Sequence, residues 1–486
     1  MNILHIDIDT LRPDHLGCYG YHRNTSPNID RVAAAGVRME NCYAPDTPCL
    51  PSRCSMHTGR FGFHTGGVNH GGMYADPYRE GPSRTFQTSA EKQQWVTTLR
   101  DAGYYTGSVS TFAGRHSAWW FLANYYEVYD HQTGGSEIAG DVTHKALDFL
   151  ERNKDRDKWY LHFNIWDPHT PYNAPADFGD PFADQPISDW VTREMIDRQQ
   201  QKFGTHCAVN PLHQPWHNKP GPRECSEIKN ITDYTKWING YDTGIAYADR
   251  EVGRLFKKLK ELGLYEDTII IINSDHGENQ GELNVYGDHQ TADLITSRIP
   301  MIIKYPGVKP GVNQGLHYHF DITATLNDLL GIPVPREWDG VSFKEKMLQE
   351  KKSSRDYLVL SHGTWSCQRS VVFDDYILIK TYHDGLKELP ALMLFNRKTD
   401  PHEQNNLADS RPETVNKGLA LLQTWYDEQM SRSEHKEDPI MKVIEEGGPY
   451  HTRGSLAPMI QYYKDKGRDD LAEKMKKRYK GKEQYY

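Results

Sequence analysis

Cys49-Leu50-Pro51-Ser52-Arg53-Cys54-Ser55-Met56-His57-Thr58-Gly59-Arg60 is the stretch on which the reading of this 486-residue chain turns. A thiol, a proline-stiffened turn, a hydroxyl and a guanidinium fall within five residues, and Thr58-Gly59-Arg60 closes the segment. No strong helix breaker follows Pro51 until Gly59, so the segment reads as a helix with Cys49 at its mouth, the end that favours an anion. Arg53 adds a permanent charge whose planar donor fork suits tetrahedral oxyanions. A lone cysteine before a short helix is usually a buried structural residue. Chemically, this segment reads as a nucleophile at the mouth of a helix.

Working outward, residues 3–9 (Ile-Leu-His-Ile-Asp-Ile-Asp) read as a buried strand that ends in acid. A carboxylate at the carboxyl end of an α/β strand stands where such folds hold their ligands. Asp7 and Asp9 share one face by the period of two, and burying both calls for a nearby cation. Thr268 to Asn273 is an isoleucine run, a strand covered on both faces, and it ends Ser274-Asp275-His276-Gly277-Glu278. Trp159 to Trp166 reads as a third strand, with His162 packed inside it. The constrained loop that follows, Asp167-Pro168-His169-Thr170-Pro171-Tyr172, carries a histidine suited to proton transfer near neutral pH.

Cys49-x-Pro51-Ser52-Arg53 with Thr58-Gly59-Arg60 resembles the signature of the type I, formylglycine-dependent sulfatases of the alkaline-phosphatase-like superfamily. Asp9, Pro168-His169-x-Pro171-Tyr172, Asp275-His276, Arg298-Ile299-Pro300 and Asp400-Pro401-x-Glu403 are similar to the family's further motifs and stand in the same order. The likeness runs from residue 3 to about residue 407. It implies an α/β fold with a large mixed β-sheet sandwiched by helices and a smaller C-terminal antiparallel-sheet subdomain. It also implies that a maturation enzyme oxidises Cys49 to formylglycine. One hydroxyl of the hydrated aldehyde would attack sulfur, and the other would later expel sulfate. Asp9, residue 49, Asp275 and His276 would hold one divalent metal. The family's Ca²⁺ is the expected ion, and the donor set also suits Mg²⁺ or Mn²⁺. Arg53 would neutralise the sulfate with the metal, His169 would protonate the departing alcohol, and Ser52 belongs to the turn. Asp7 is left open between ligation and support of the ligands.

The chain also departs from the family pattern. The Lys-x-His that many sulfatases supply to the sulfate is missing at Ser110-Thr111-Phe112-Ala113-Gly114-Arg115-His116. Thr111 could offer a hydroxyl there, or Arg115 and His116 could fold back. Where relatives carry a lysine before the Arg-x-Pro strand, this chain has His289 beside Asp288, and His289 is the expected replacement donor. In the Gly- and His-rich loop from Phe63 to Gly72, which is not expected to be helical, Asn69 or His70 could touch the substrate anion.

Length and composition set the outer bounds. The chain carries 57 basic and 66 acidic residues for a net charge of −9, which argues against a nucleic-acid surface. The seven cysteines show neither a CxxC pair nor zinc-type spacing, and no run of apolar residues is long enough to span a membrane. The sequence enters a strand at once with no signal-like start, so a cytoplasmic location is expected. Residues 1–350 are expected to form the catalytic domain, and 173–230, rich in Pro, His, Trp and Gln, an insertion over the active-site face that sets specificity. Within it Trp190, Trp216 and His217 are possible sugar-stacking groups. Residues 351–486 would form the small sheet from runs at 357–361, 367–382 and 391–396, plus a solvated basic tail helix from Lys464 to Lys482. Helices are expected at 26–35 (capped by Ser26), 95–102, 141–152 and 234–262.

These readings point to a sulfatase acting on a sulfate ester or sulfamate of a small saccharide, such as a glycosaminoglycan fragment. A phosphonate monoester or phosphodiester hydrolase on the same site is the alternative. An immature binder of sulfated sugars that does not turn over is a third reading. The oligomeric state is not legible.

Overall fold

In a computed structural model, described over residues 1–79, 94–212, 220–347 and 355–486, the buried runs of the sequence assemble into one large sheet. Its strand order is Gly311–Tyr318, Val37–Tyr43, Arg298–Lys304, Thr268–Asn273, Asn2–Ile8, Trp159–Ile165, Tyr105–Val109, Glu127–Tyr129. The last five run parallel. Arg298–Lys304 is antiparallel to both of its neighbours, which makes the sheet mixed. Every residue of strands 2–8, 159–165 and 268–273 is buried. Parallel strands of this kind need cover on both faces. Leu4, Ile6 and Ile8 meet the helices Pro27–Ala35, Ala139–Arg152 and Ile231–Glu261 on one side. Ile3, Ile269 and Ile271 meet the helices Trp95–Asp101 and His319–Leu330 on the other.

Register aligns the chemistry. Asp7 pairs with Asn164 on one neighbour and Asn273 on the other. The segments bearing Asp9, His169 and Asp275-His276 therefore leave the same edge of the sheet, at the carboxyl ends of adjacent parallel strands.

A second sheet has the order Leu392–Asn396, Tyr376–His383, Cys367–Phe373, Tyr357–His362, Asp46–Thr47. Helix Pro412–Arg432 covers it with Val415, Leu422 and Trp425. The expected run at 367–382 is two strands, because Asp374 at φ 45° turns the chain between Phe373 and Tyr376. Asp46–Thr47 joins in parallel at Ser361 and His362. The chain just before Cys49 is thereby pinned to the C-terminal sheet.

Three local expectations are corrected. Ser26 makes no side-chain cap to the helix Pro27–Ala35. Its free amides Asn28 N–H and Ile29 N–H donate instead to the Asp249 carboxylate at 3.0 and 2.8 Å, so the cap comes from the long helix. The basic tail is not merely solvated. Leu471, Ala472, Met475 and Tyr479 recur on one face of the helix Asp469–Tyr479 and pack against Phe203 and Cys207. After Arg60, Gly62–Thr65 closes one helical turn, ended by Gly66 at φ 82°. Among the described residues no helix is long and apolar enough to cross a membrane.

Asp249→Ala removes that cap and should cost about 1–2 kcal/mol, the usual worth of a lost N-cap, lowering the melting temperature by a few degrees. A variant that melts with the wild type in scanning calorimetry would show that the amides find another acceptor.

Candidate active site

The decisive stretch forms the helix Cys49–Thr58, all ten residues of it buried. Gly59 ends it at φ 67°, where a Cβ would lie 2.4 Å from the Trp338 ring, so only glycine closes this turn without strain. Ser52 donates to the Asp275 carbonyl at 2.6 Å and so ties the helix to the end of strand 268–273.

Arg53 lies under the site. Its Nε donates to Asp7 at 2.8 Å, Nη1 to Asp275 at 2.6 Å and Nη2 to Asp9 at 3.1 Å. Arg53 is not among the residues that line the cavity described below. Three buried carboxylates from two strand ends need a cation, and its fork meets all three. Asp7 also lies 3.3 Å from His162 Nε2, keeps Oδ1 buried without a hydrogen-bond partner and stands outside the group of four possible metal donors. Thr10, in the left-handed region at φ 57°, turns its amide to Asp275 Oδ1 at 3.2 Å.

Above Arg53, one donor atom each from Asp9, Cys49, Asp275 and His276 lies within 4.8 Å of the others. His276 Nδ1–H donates to the Gly277 carbonyl at 2.9 Å, which turns Nε2 toward Cys49 Sγ at 3.0 Å and Asp275 at 3.2 Å. Asp9 Oδ1 is buried without a hydrogen-bond partner. An orphaned carboxylate oxygen in a set of two carboxylates, one imidazole and residue 49 fits a divalent cation, and the set becomes mostly oxygen once residue 49 carries a hydroxyl. Burial opposes the charge on Asp9, but Arg115 and Arg53 hold its carboxyl well below the usual range. Burial, then Asp9, pushes the Cys49 thiol up.

Cys49 opens onto a cavity of about 510 Å³. His70, Arg115, His116, His169 and His289 line it around the reactive end. Arg115, one of the alternatives raised by the missing lysine, is the one Arg or Lys among the described lining residues. Its Nη2 donates to Asp9 at 2.9 Å and its Nε to His116 at 3.0 Å, and the guanidinium lies 4.3 Å over Trp166. Nη1 is buried without a partner. Thr111, by contrast, does not line the cavity, because its hydroxyl is committed to Glu137 at 2.6 Å. His169 donates from Nδ1 to the Thr170 carbonyl at 2.6 Å, leaving Nε2 as its exchangeable nitrogen, and stacks on Trp166 at 4.2 Å. Burial holds His169 below the ordinary histidine range, with Asp9 opposing and Arg115 adding to the shift. His289 sits between His276 and His169 at ring distances of 4.1 and 5.3 Å, and its Nδ1 is unpartnered. Asn69 is buried and receives Tyr450 N–H at 3.3 Å, while His70 meets Leu50 N–H at 3.4 Å and His451 at 3.0 Å.

The far wall holds residues that spacing gave no reason to single out, among them His206, Asp288, Trp365, Tyr450 and His451. His206 and Glu224 bring the insertion into this wall. Trp190 is not part of it and stacks on His402 at 4.1 Å, while Trp216 and His217 lie outside the described residues.

A family model described as sulfatase matches residues 1–332, and one described as N-sulphoglucosamine sulphohydrolase, C-terminal, matches 282–427. The chain is 23% identical to an N-acetylglucosamine-6-O-sulfatase of Bacteroides thetaiotaomicron, over 92% of this chain and 89% of that protein. It is 24% identical to a choline-sulfatase of Rhizobium meliloti, over 79% and 78% of the two chains. Among solved structures, a protein in complex with its substrate D-glucosamine-2-N,6-O-disulfate superposes with a TM-score of 0.70 at 20% identity, covering 90% of this chain and 99% of that one. A phosphonate monoester hydrolase from Silicibacter pomeroyi gives 0.68 at 20% identity, covering 90% and 96%. At these identities the superpositions establish the fold.

Arg53→Met leaves three carboxylates without their counter-charge and should cost about 3–5 kcal/mol or abolish folding. Asp7, which Arg53 and His162 hold below its unfolded value of about 3.9 against the pull of burial, stabilises fully above that pH and loses its contribution as the pH falls below it. Thermal unfolding followed by circular dichroism should therefore lose stability on acidification from about pH 5 to 3, and lose it less steeply in Asp7→Asn. Equal slopes would contradict the pairing.

Proposed function

Because the chain belongs to the sulfatase family, a family of sulfuric ester hydrolases, we propose that it removes sulfate from a small sulfated saccharide, using a formylglycine made from Cys49 and one divalent cation. The observation that carries this is the convergence of Asp9, Cys49, Asp275 and His276 within 4.8 Å, at a cavity into which Arg115 also opens. An unmodified Cys49 is a poor nucleophile here, since burial and Asp9 keep its thiol protonated. A formylglycine hydrate at residue 49 supplies the attacking oxygen. The cation, Ca²⁺ by family habit and Mg²⁺ or Mn²⁺ by donor type, supplies positive charge to the hydrate and the sulfate.

The remaining work falls to side chains of this chain. Arg115 Nη1 donates to a sulfate oxygen, and its bond to Asp9 fixes the direction of that donation. His289 and His70 offer further ring nitrogens around the same group. His169 Nε2 carries a proton to the departing alcohol, and the Nδ1 bond to Thr170 holds its ring in place. Burial disfavours the charged ring before substrate arrives, and the negative charge of an incoming sulfate ester opposes that cost. The sugar substrates of the glucosamine-acting relatives, and a cavity of about 510 Å³ with aromatic walls, support an amino-sugar sulfate. Asp275-His276 together with the absent Lys-x-His supports the phosphonate or phosphodiester alternative.

Protein co-expressed with a maturation enzyme is the material for the test. Sulfate release from N-acetylglucosamine 6-sulfate and glucosamine 6-sulfate is expected, is lost in Cys49→Ala, and is lost on chelation and restored by a divalent cation. Phosphorus substrates turned over faster than any sulfate ester would promote the alternative. Arg115→Ala should lower kcat/KM by about a hundredfold, the usual loss for one oxyanion donor. His169→Asn should slow sugar sulfates more than activated aryl sulfates, whose leaving groups need no proton. A uniform loss across leaving groups would remove the general-acid role.

A further inference from the structure

The family-like motifs gather at the sulfate end of the cavity, and none accounts for the two carboxylates in its far wall, Asp288 and Glu224. Glu224 accepts from Gly221 N–H at 2.8 Å within its own loop. Asp288 is 4% exposed and lines the cavity. Its Oδ2 lies 3.0 Å from His206 Nε2 and accepts from Gln290 Nε2 at 3.1 Å, while Oδ1 accepts from His289 N–H at 2.7 Å. A carboxylate has about four acceptor positions, so these three contacts leave room for a donor arriving from the cavity.

A chain of hydrogen bonds of fixed sense holds this arrangement from behind. Lys387 Nζ donates to Thr205 Oγ1 at 2.7 Å, Thr205 Oγ1 donates to Gln290 Oε1 at 2.7 Å, and the Gln290 amide donates to Asp288. A lysine ammonium only donates and a carboxylate only accepts, so the orientation of the Gln290 amide is settled by its neighbours. Lys387 is 3% exposed, a costly place for an ammonium unless it is put to use. Beside Asp288 the wall is aromatic. Trp365 and His451 stack at 4.5 Å, and His206 meets the Trp365 ring edge-on at 5.3 Å.

Aiming His289 is the other task open to Asp288, and the geometry does not favour it. The nearer ring contact, His289 Nε2 to Asp288 Oδ1, is 3.5 Å, too long for a working hydrogen bond. The wall also lacks a side-chain cation, since Arg115 is the one Arg or Lys among the described lining residues and belongs to the sulfate end.

We propose that Asp288 is the acceptor for hydroxyl groups of the leaving group, so that this wall is a polyol subsite and the cavity selects sugar over aryl or alkyl sulfates. The Lys387–Thr205–Gln290 chain positions it. The proposal rests on the sulfatase reading above and adds the residue that discriminates among leaving groups. A buried carboxylate that loses its hydroxyl partner keeps one acceptor position unfilled away from water, which is how such a site rejects an alcohol lacking that hydroxyl.

The test compares converted wild type, Asp288→Asn and Thr205→Val on N-acetylglucosamine 6-sulfate, glucosamine 6-sulfate and 4-methylumbelliferyl sulfate. In Asp288→Asn the sugar-to-aryl ratio of kcat/KM should fall about 30- to 100-fold, chiefly through KM for the sugar. Thr205→Val keeps the side-chain shape and should move the ratio the same way by about fivefold. It carries the test if Asp288→Asn fails to fold. Equal loss on sugar and aryl esters, or no loss on the sugars, overturns the subsite. Wild type that cleaves the aryl ester but neither sugar overturns the subsite and leaves the sulfatase reading standing. Release from none of the three sinks the saccharide-sulfate reading and the subsite with it.

Discussion

One guanidinium organises the reactive end of this protein. Arg53 stands one helical turn beyond Cys49 and meets carboxylates at the ends of two adjacent strands, Asp7 and Asp9 on one and Asp275 on the other. Without it, three buried negative charges would repel, and neither strand end could hold its position beside the helix. The arrangement assembles the acidic side of a cation site from the protein's own charges. It also leaves Asp9 with one oxygen unpaired and turned to use. The helix bearing Cys49 is fixed at both ends, by Asp46–Thr47 in the C-terminal sheet and by the left-handed Gly59 under Trp338. Position, not the reactivity of a thiol, is what the fold provides at residue 49.

Much of this was legible because it is local. The isoleucine run at 268–273, the acid-ended run at 3–9 and the Pro-bounded loop at His169 each announce a buried strand and the group it delivers. Register then brings these groups together, and the order of motifs along the chain foreshadows that. What sequence could not supply was the partner of each long side chain. Arg53 looks like an oxyanion ligand on spacing, and only the packing shows that all three of its nitrogens also meet carboxylates. Thr111 and Arg115 lie four residues apart as rival candidates, and a single contact to Glu137 decides between them. Asp249 caps a helix more than two hundred residues away, a pairing that no periodicity announces. Tyr450 and His451 lie beyond the reach of either matching family model, yet they wall the cavity.

The cavity is chemically divided. Its reactive end gathers a guanidinium and a ring of histidines that burial holds neutral, a surround that can receive an anion without standing repulsion among its own groups. Its far wall pairs a clamped carboxylate with stacked aromatic rings, built from the insertion, the loop before the antiparallel strand and the C-terminal segments. The far wall is where the insertion and the C-terminal segments meet the cavity, and loops carried on a rigid scaffold are where binding residues concentrate.

The central claim is that residue 49 acts as formylglycine and not as cysteine. It is tested most directly by preparing the protein at several levels of maturation and measuring two quantities on each batch. Peptide mass spectrometry gives the fraction of residue 49 converted, and ion chromatography gives the rate of sulfate release from N-acetylglucosamine 6-sulfate. The account predicts a straight line through the origin. Sulfate release from fully unconverted protein, or a rate that does not change with conversion, would contradict it.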